Sequence, residues 1–429
     1  MDHLLSDYAA AISALFARTT SGTKVGLERT NALLSKMGSP HKSLRAIHVA
    51  GTNGKGSVVA MVEAILRAQG FRVGRYTSPH LVDFRERITI DAVPITEQQV
   101  LSFLERWIGS GEELGATFFE LTTAMAFQHF ADGAVDFAVI ETGLGGRLDS
   151  TNVLSPRVAT VTSIGLDHTD LLGDSLRAIA REKAGIFKPH TPAVIGETNP
   201  EIRDVLVRCA EDAGSRPIIV VDDRYATTEV EVSREGTRFT IARAGENVRL
   251  RTSLVGAHQA RNAAIAIATV EAIGEQHVAG RDVLQSGLGA VSLPGRFQRV
   301  GKFVFDVAHN PAGAKTVAET ITALGLPAPR SALLAVLRDK DWRGIITALA
   351  PAVDRLLITN CPSAPADRAW DPAEAHAFAI GQGIAADLEP DLDIAILRAE
   401  KRCGTVIVTG SFHTVGDVMS RLQVSPFAA

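Results

Sequence analysis

Cysteine is scarce in this 429-residue chain: Cys209, Cys361 and Cys403 make an odd number, and no C-x-x-C pair occurs. That excludes a disulfide framework and a zinc ribbon, and it fits a reducing compartment. No run approaches the ~18 uninterrupted apolar residues of a membrane-crossing helix, so no membrane partner is expected. The first residues lack the basic start and apolar core of a signal peptide. Instead Leu4, Tyr8, Ile12 and Leu15/Phe16 fall at helical spacing, broken by Asp2 and Asp7, which predicts an amphipathic helix of the fold and a cytoplasmic address. A dominant charge is missing as well. With 44 Lys+Arg against 48 Asp+Glu the net charge is -4, so there is no basic field to hold nucleic acid. Disorder is excluded by the 46% hydrophobic content. A chain of this length predicts about two or three domains.

The sequence does contain a repeated rhythm of apolar run, glycine-rich turn and helical segment, the pattern of a parallel sheet flanked by helices. Residues 45–50, 71–77, 135–140 and 158–163 read as strands, and 57–69 as a helix stopped by Gly70. From 229 to 251 apolar and polar residues alternate around Gly236 and Gly245, which predicts an antiparallel insertion. A helix follows over 259–273. Leu293-Pro294-Gly295-Arg296 predicts a hinge, after which the alternation restarts with strands at 303–307, 332–337, 355–359 and 405–409. The expected fold is therefore α/β: a large parallel-sheet domain over 1–292 with an antiparallel insertion, a hinge at 293–296, and a smaller α/β domain over 297–429.

The strongest local signal is Ala50-Gly51-Thr52-Asn53-Gly54-Lys55-Gly56-Ser57, placed where a strand ends and a helix begins. Glycines let backbone N–H groups curl around phosphate, the helix N-terminus adds positive potential, Lys55 reaches the terminal phosphates, and Ser57 is placed to meet Mg²⁺. Its spacing departs from the strict G-x-x-x-x-G-K-[ST] form, because Gly56 intervenes before Ser57. Glu141 ends a neighbouring apolar strand and runs into the glycine-rich stretch 142–147, whose glycines permit close backbone approach to a ligand. His168 lies past the next strand's carboxyl end, the edge where open α/β sheets bind ligands. Lys183, in a helix ending at Gly185, reads alone as a surface lysine.

Taken together, these blocks resemble the Mur-ligase superfamily, and within it the folylpolyglutamate synthase/dihydrofolate synthase branch. The likeness runs over essentially the whole chain. Besides the phosphate loop it rests on Thr77-Ser78-Pro79-His80-Leu81, Glu86-Arg87-Ile88, Glu141 to Asp149, Asp167-His168-Thr169 and Glu182 to Ile186. His258-Gln259 with Asn262, Leu293 to Arg296, and Asp306-Val307-Ala308-His309-Asn310-Pro311 complete it. The resemblance implies a P-loop ATPase domain joined to a Rossmann-like carboxyl-terminal domain. It implies an ATP- and Mg²⁺-dependent ligase that phosphorylates a folate or pteroate carboxylate and adds L-glutamate. Dihydropteroate and reduced folates would be the acceptors, and a monomer the family default. A branch member that only polyglutamylates folates, and another Mur-type peptide ligase, are the rival readings.

By the same resemblance Gly54, Lys55, Gly56 and Ser57, with Asn262, Arg296 and Asp306 from across the hinge, would hold the nucleotide. Ser57, Ser78, Glu141, His168 and a carbamylated Lys183 would surround Mg²⁺, and His309 and Ser411 would meet the glutamate. Lys55, His168, Lys183, Asp306 and His309 form the expected catalytic set. For the acceptor, Gly26-Leu27-Glu28-Arg29, Thr117-Phe118-Phe119-Glu120 and Leu148-Asp149-Ser150 match substrate-wall segments. Phe118 or Phe119 would stack on a pterin, with a core aromatic pair as the alternative. Asp339-Lys340-Asp341 matches a family block, or is simply a charged turn.

Overall fold

A computed structural model of the chain describes residues 7–17, 26–243 and 245–427. Asp2 and Leu4, which the sequence reading used, lie outside these residues; the amino-terminal helix is seen as Tyr8–Phe16.

Eight strands build the first sheet: β1 (Ala46–Ala50), β2 (Val73–Tyr76), β3 (Ile88–Ile90), β4 (Val93–Pro94), β5 (Phe137–Glu141), β6 (Val158–Val161), β7 (Ala193–Ile195) and β8 (Ile218–Val220). Their order is β4-β3-β2-β5-β1-β6-β7-β8. From β2 to β8 across the sheet the pairings are parallel, while β3 and β4 add an antiparallel edge. The central strands are buried on both faces, which is why β1 reads Ala-Ile-His-Val-Ala without polar alternation. Ile47 and Val49 pack under the Lys55–Ala68 and His258–Glu271 helices. Ala46 and Ala50 face the opposite side, where helices Phe118–Asp132 and Leu176–Ala184 lie. Because side chains alternate across a strand, one strand serves both layers.

The expected antiparallel insertion is present as β9 (Thr227–Ser233), β10 (Gly236–Arg243) and β11 (Glu246–Thr252). The last sheet contains β12 (Gln298–Val300), β13 (Phe303–Phe305), β14 (Arg330–Leu334), β15 (Arg355–Ile358), β16 (Ala386–Leu388) and β17 (Thr405–Thr409), in the order β12-β13-β17-β14-β15-β16. Only the β12 pairing is antiparallel, closed by a hairpin at Gly301 with φ +59°. The strand expected over 332–337 ends at Leu334, and residues 335–337, still buried, leave the ladder.

The segment 293–296 connects the Arg281–Gly289 helix to β12 without regular structure. Gly295 sits there at φ +69°, and a Cβ on it would lie 3.0 Å from Val307 and 3.1 Å from Leu81, so the segment packs between the loops that follow β13 and β2. Among the described residues no helix is long and apolar enough to cross a membrane.

Candidate active site

Past Ala50 the chain turns through Gly51 and reaches Gly54, whose φ of +84° lets it cap the Lys55–Ala68 helix. Any side chain at Gly51 would collide with the Thr162 hydroxyl, and a Cβ on Gly54 would sit 2.7 Å from Asn262 Oδ1. The same measure at Gly56 finds Arg296 Nη2 at 3.5 Å and Glu141 Oε2 at 3.7 Å. The glycines thus let a charged pair and an amide from other elements close on the loop. Ser57 is buried in the helix's first turn.

Two ammonium groups converge on one carbonyl. Lys55 Nζ donates to Gly51 O at 2.9 Å and to Thr52 O at 3.3 Å, and Lys183 Nζ donates to the same Gly51 O at 2.9 Å. Lys183 is 5% exposed. Burial, with the nearby Lys55 charge, lowers its pKa to about 7. Glu141, also buried, has only long contacts: Ser78 N at 3.4 Å and Lys55 Nζ at 4.0 Å. Burial raises its pKa, and Lys55 and Arg296 pull against that. Arg296 lies with its guanidinium 5.3 Å over the Phe412 ring.

A second group forms where the two sheets face each other. Lys340, at the end of the loop after β14, reaches Asp167 Oδ1 at 2.5 Å and His168 Nε2 at 3.2 Å. His309 Nε2 stands 3.5 Å from Asp167 Oδ2, while its Nδ1 meets Val307 O at 2.9 Å. Burial alone would raise the Asp167 carboxyl, yet the His309 hydrogen bond and the Lys340 charge hold it well below the usual range. Burial and the Lys340 ammonium push His168 down to about 4. Asn310 Nδ2 crosses to Asn53 Oδ1 at 3.0 Å, tying the second sheet to the phosphate loop. Asp306 accepts from Phe297 N and Ala308 N at 3.0 and 2.9 Å, and burial raises its pKa.

The structure therefore gathers Gly54, Lys55, Gly56, Ser57, Ser78, Glu141, Lys183, Asn262 and Arg296 around one loop. It sets His168 in the neighbouring group with His309. Among the described residues no three His, Cys, Asp or Glu side chains are arranged to hold a metal by themselves. Glu141 and the hydroxyls of Ser57 and Ser78 are hard oxygen donors, the ligand type Mg²⁺ takes.

Several side chains expected at the acceptor wall or at the glutamate are held by the fold itself. Glu120 receives Arg29 Nε at 3.0 and 3.1 Å and Thr117 N at 2.7 Å, so it is the buried half of an ion pair and of a capping box for the Phe118–Asp132 helix. Asp149 accepts from Leu144 N at 2.8 Å and from the Thr151 N–H and hydroxyl, and Thr151 Oγ1 meets His48 Nε2 at 2.8 Å. Ser411 caps the Phe412–Arg421 helix through Thr414 N at 3.0 Å. Each of these polar groups is engaged inside the fold, because a buried oxygen left unpaired is costly.

Phe118 stacks on Phe16 at 4.7 Å and is a core residue, whereas the Phe119 ring lies flat on Gly143, where a Cβ would collide with the ring's Cζ. Gly26, Leu27 and Glu28 open the Glu28–Lys36 helix, and Leu148 and Ser150 flank Asp149. Asp167 and Lys340 are named in the sequence only as members of family blocks, with no role of their own. Their signals were present: Asp167 stands beside His168, and Lys340 belongs to a block that a charged turn explained equally well.

Two family models match: the Mur ligase middle domain over residues 49–270, and the Mur ligase glutamate ligase domain over 295–412. A dihydrofolate synthase/folylpolyglutamate synthase of Bacillus subtilis (strain 168) is 34% identical, covering 98% of this chain and 100% of its own. The crystal structure of Mycobacterium tuberculosis folylpolyglutamate synthase complexed with ADP and AMPPCP superposes with a TM-score of 0.88 at 34% identity, covering 98% of this chain and 100% of that one. A bifunctional folylpolyglutamate synthase/dihydrofolate synthase with Mn, AMPPNP and L-glutamate bound gives a TM-score of 0.81 at 31% identity, covering 94% and 95%.

Proposed function

Because the chain belongs to the Mur ligase family, and within it to the folylpolyglutamate synthase/dihydrofolate synthase group, we propose that it is an ATP-dependent ligase joining L-glutamate to dihydropteroate and to the γ-carboxylate of reduced folates. The observation that carries this reading is the pair of lysines on Gly51 O, beside a buried Glu141 with only long contacts. A phosphate loop whose lysine donates to the loop's own carbonyl is shaped for an anion that would take the carbonyl's place as the lysine's acceptor.

The acceptor carboxylate attacks the γ-phosphorus of ATP, the bond to the β-phosphate oxygen breaks, and ADP leaves. The glutamate amine then attacks the acyl phosphate, loses a proton and expels phosphate. Such transfers need positioning and charge neutralisation more than a protein nucleophile. Lys55 and the N–H groups of Gly54 to Ser57 hold the β/γ-phosphates, while Asn262, Arg296 and Asp306 orient the nucleotide from across the cleft. Ser57, Ser78, Glu141 and His168 are the residues that would hold Mg²⁺, which supplies positive charge at the transferring phosphoryl group.

Lys183 is proposed to carry a carbamate. A neutral amine can add CO₂, and burial beside Lys55 favours the neutral form, as a pKa of about 7 reflects. Carbamylation turns the second cation at Gly51 into an anion suited to a metal site. His309 and the Ser411 turn would meet the incoming glutamate.

Residues 1–292 and 297–429 are proposed as the two domains, with 293–296 as the hinge between them. Neither side holds a complete site, so closure would assemble it and exclude water from the acyl phosphate. The chain is proposed to act as a monomer in the cytoplasm.

Purified protein with Mg-ATP, glutamate and either dihydropteroate or tetrahydrofolate, with product mass read directly, tests the activity. A mass gain of one glutamate on both acceptors is expected. Gain on tetrahydrofolate alone would leave a folylpolyglutamate synthase, and gain on neither would overturn the reading. Scattering profiles with and without an ATP analogue and folate test the hinge, and unchanged profiles would reject closure.

A further inference from the structure

Away from the cleft, a cavity of about 330 Å³ opens between the Leu176–Ala184 and Pro200–Asp212 helices, lined by Arg177, Arg181, Val205, Arg208, Cys209 and Asp212. Three guanidiniums face one carboxylate there, in a chain whose net charge is -4. Arg177 is held by Glu201 at 2.6 Å, an exposed pair that another anion can replace. Among the described residues neither the Arg181 nor the Arg208 side chain has a hydrogen-bond or ion-pair partner. Arg181, Arg208 and Asp212 all lie close enough to act on the Cys209 thiol, which burial keeps protonated, so the cysteine adds no negative charge. Like charges gathered around a cavity repel unless an anion joins them, and the planar guanidinium fork suits carboxylate or phosphate oxygens.

Spacing narrows the class of anion. Arg177 and Arg181 are one helical turn apart, so their side chains start about 5–6 Å from each other. In a γ-linked glutamyl chain the free α-carboxylates recur every five backbone bonds, roughly 6 Å when extended. We propose that this cavity binds an oligo-γ-glutamyl chain of about three residues, each α-carboxylate meeting one of the guanidiniums of Arg177, Arg181 and Arg208. The inference rests on the ligase reading above, whose product is such a chain. It adds an outer site for that product on the same helix that carries Lys183, with Arg177 about 9 Å from Lys183 along the helix axis.

Calorimetric titration of the full chain with tri-γ-glutamate tests this, with the cleft first filled by an ATP analogue and tetrahydrofolate. Binding is expected to weaken at least tenfold in the R181Q/R208Q double variant. It should weaken less in R208K, which keeps the charge and loses the fork. Glutamate addition to tetrahydrofolate by these variants is expected to be unchanged. Equal affinity for wild type and R181Q/R208Q, or no binding to wild type, overturns the site. Inorganic pyrophosphate or tri-α-glutamate binding as tightly as the γ-linked peptide overturns the γ-glutamyl assignment. Loss of the ligase reading would appear separately, as wild-type protein that adds no glutamate.

Discussion

The corner around Gly51 and the wall from Arg29 to Asp149 both bury charge, and they do so on opposite terms. Glu120 and Asp149 in the wall accept hydrogen bonds of 2.7–3.1 Å from Arg29, Thr117, Leu144 and Thr151. Glu141 in the corner has contacts of 3.4 and 4.0 Å, and two lysines share a single carbonyl. A buried charge with its full set of partners rigidifies the fold, whereas one with too few is costly until something binds. The contrast sorts polar residues of the cleft into framework and ligand-facing sets, and blocks that resemble the family do not by themselves make that distinction.

The sharpest break of the comparison lies at the corner. Lys55→Ala and Glu141→Ala are each expected to lower kcat by ~10²-fold or more, since preorganised charge at a transferring phosphoryl group carries much of such catalysis. Thermal unfolding should move little, because these side chains support few internal bonds. Wild-type-like turnover by Lys55→Ala in saturating ATP would remove the phosphate-loop assignment.

Lys183→Ala is expected to be inactive as well, with partial rescue by a short carboxylic acid standing in for the carbamate. The pH dependence has a definite sign. With a pKa of about 7 the amine is neutral, and able to take CO₂, above that value, and becomes an ammonium below it. Activity should therefore fall as pH drops through about 7, and bicarbonate should restore part of it near the midpoint. An active, metal-loaded enzyme whose intact mass shows a free amine would refute the carbamate.

What the sequence made legible follows the same division. The phosphate loop and Glu141 stood out because glycines and a charge at strand ends have few purely structural explanations, whereas Lys183, inside a helix, read alone as a surface lysine and was marked only by the family resemblance. The parallel sheet was readable from β1, β5 and β6, whose apolar runs answer burial on both faces. β16 and β12, of three residues each, are too short to show periodicity. Whether Glu120 or Asp149 faces inward depends on Arg29 and Leu144, partners brought by tertiary packing. Lys340 became informative only when Asp167 appeared beside it from the other sheet.

The next effect is smaller and concerns acceptor choice. Phe119 lies on Gly143 and is the wall aromatic left partly exposed, while Phe118 is locked against Phe16. Dihydropteroate lacks the glutamate of folate, so it depends more on contacts near its pterin. Phe119→Ala should lower kcat/KM for dihydropteroate about tenfold more than for tetrahydrofolate, equivalent to ~1.4 kcal/mol of differential transition-state binding. Arg29→Ala should act through Glu120, costing ~1–3 kcal/mol of stability by leaving that carboxylate short of its partner. Parallel losses on both acceptors for Phe119→Ala would place the ring in the framework set.

Ser411 gives the finest test, because the family resemblance and the geometry assign it to different sets. The resemblance puts it beside the incoming glutamate. In the structure its hydroxyl is buried, accepts from Thr414 N at 3.0 Å and lies 2.7 Å from Thr414 Oγ1. Both bonds hold the start of the Phe412–Arg421 helix, which carries Phe412 under Arg296. Losing an N-cap of this kind costs ~1 kcal/mol, most of which glycine recovers at the same position. Ser411→Ala is therefore expected to lower the denaturant midpoint by an amount that Ser411→Gly largely restores, with the KM for glutamate within about twofold of wild type in both. If both variants instead raise that KM about tenfold while stability is preserved in Ser411→Gly, the hydroxyl touches substrate. The boundary between framework and ligand-facing residues would then run through this turn, with one oxygen serving the helix in the free enzyme and glutamate in the loaded one.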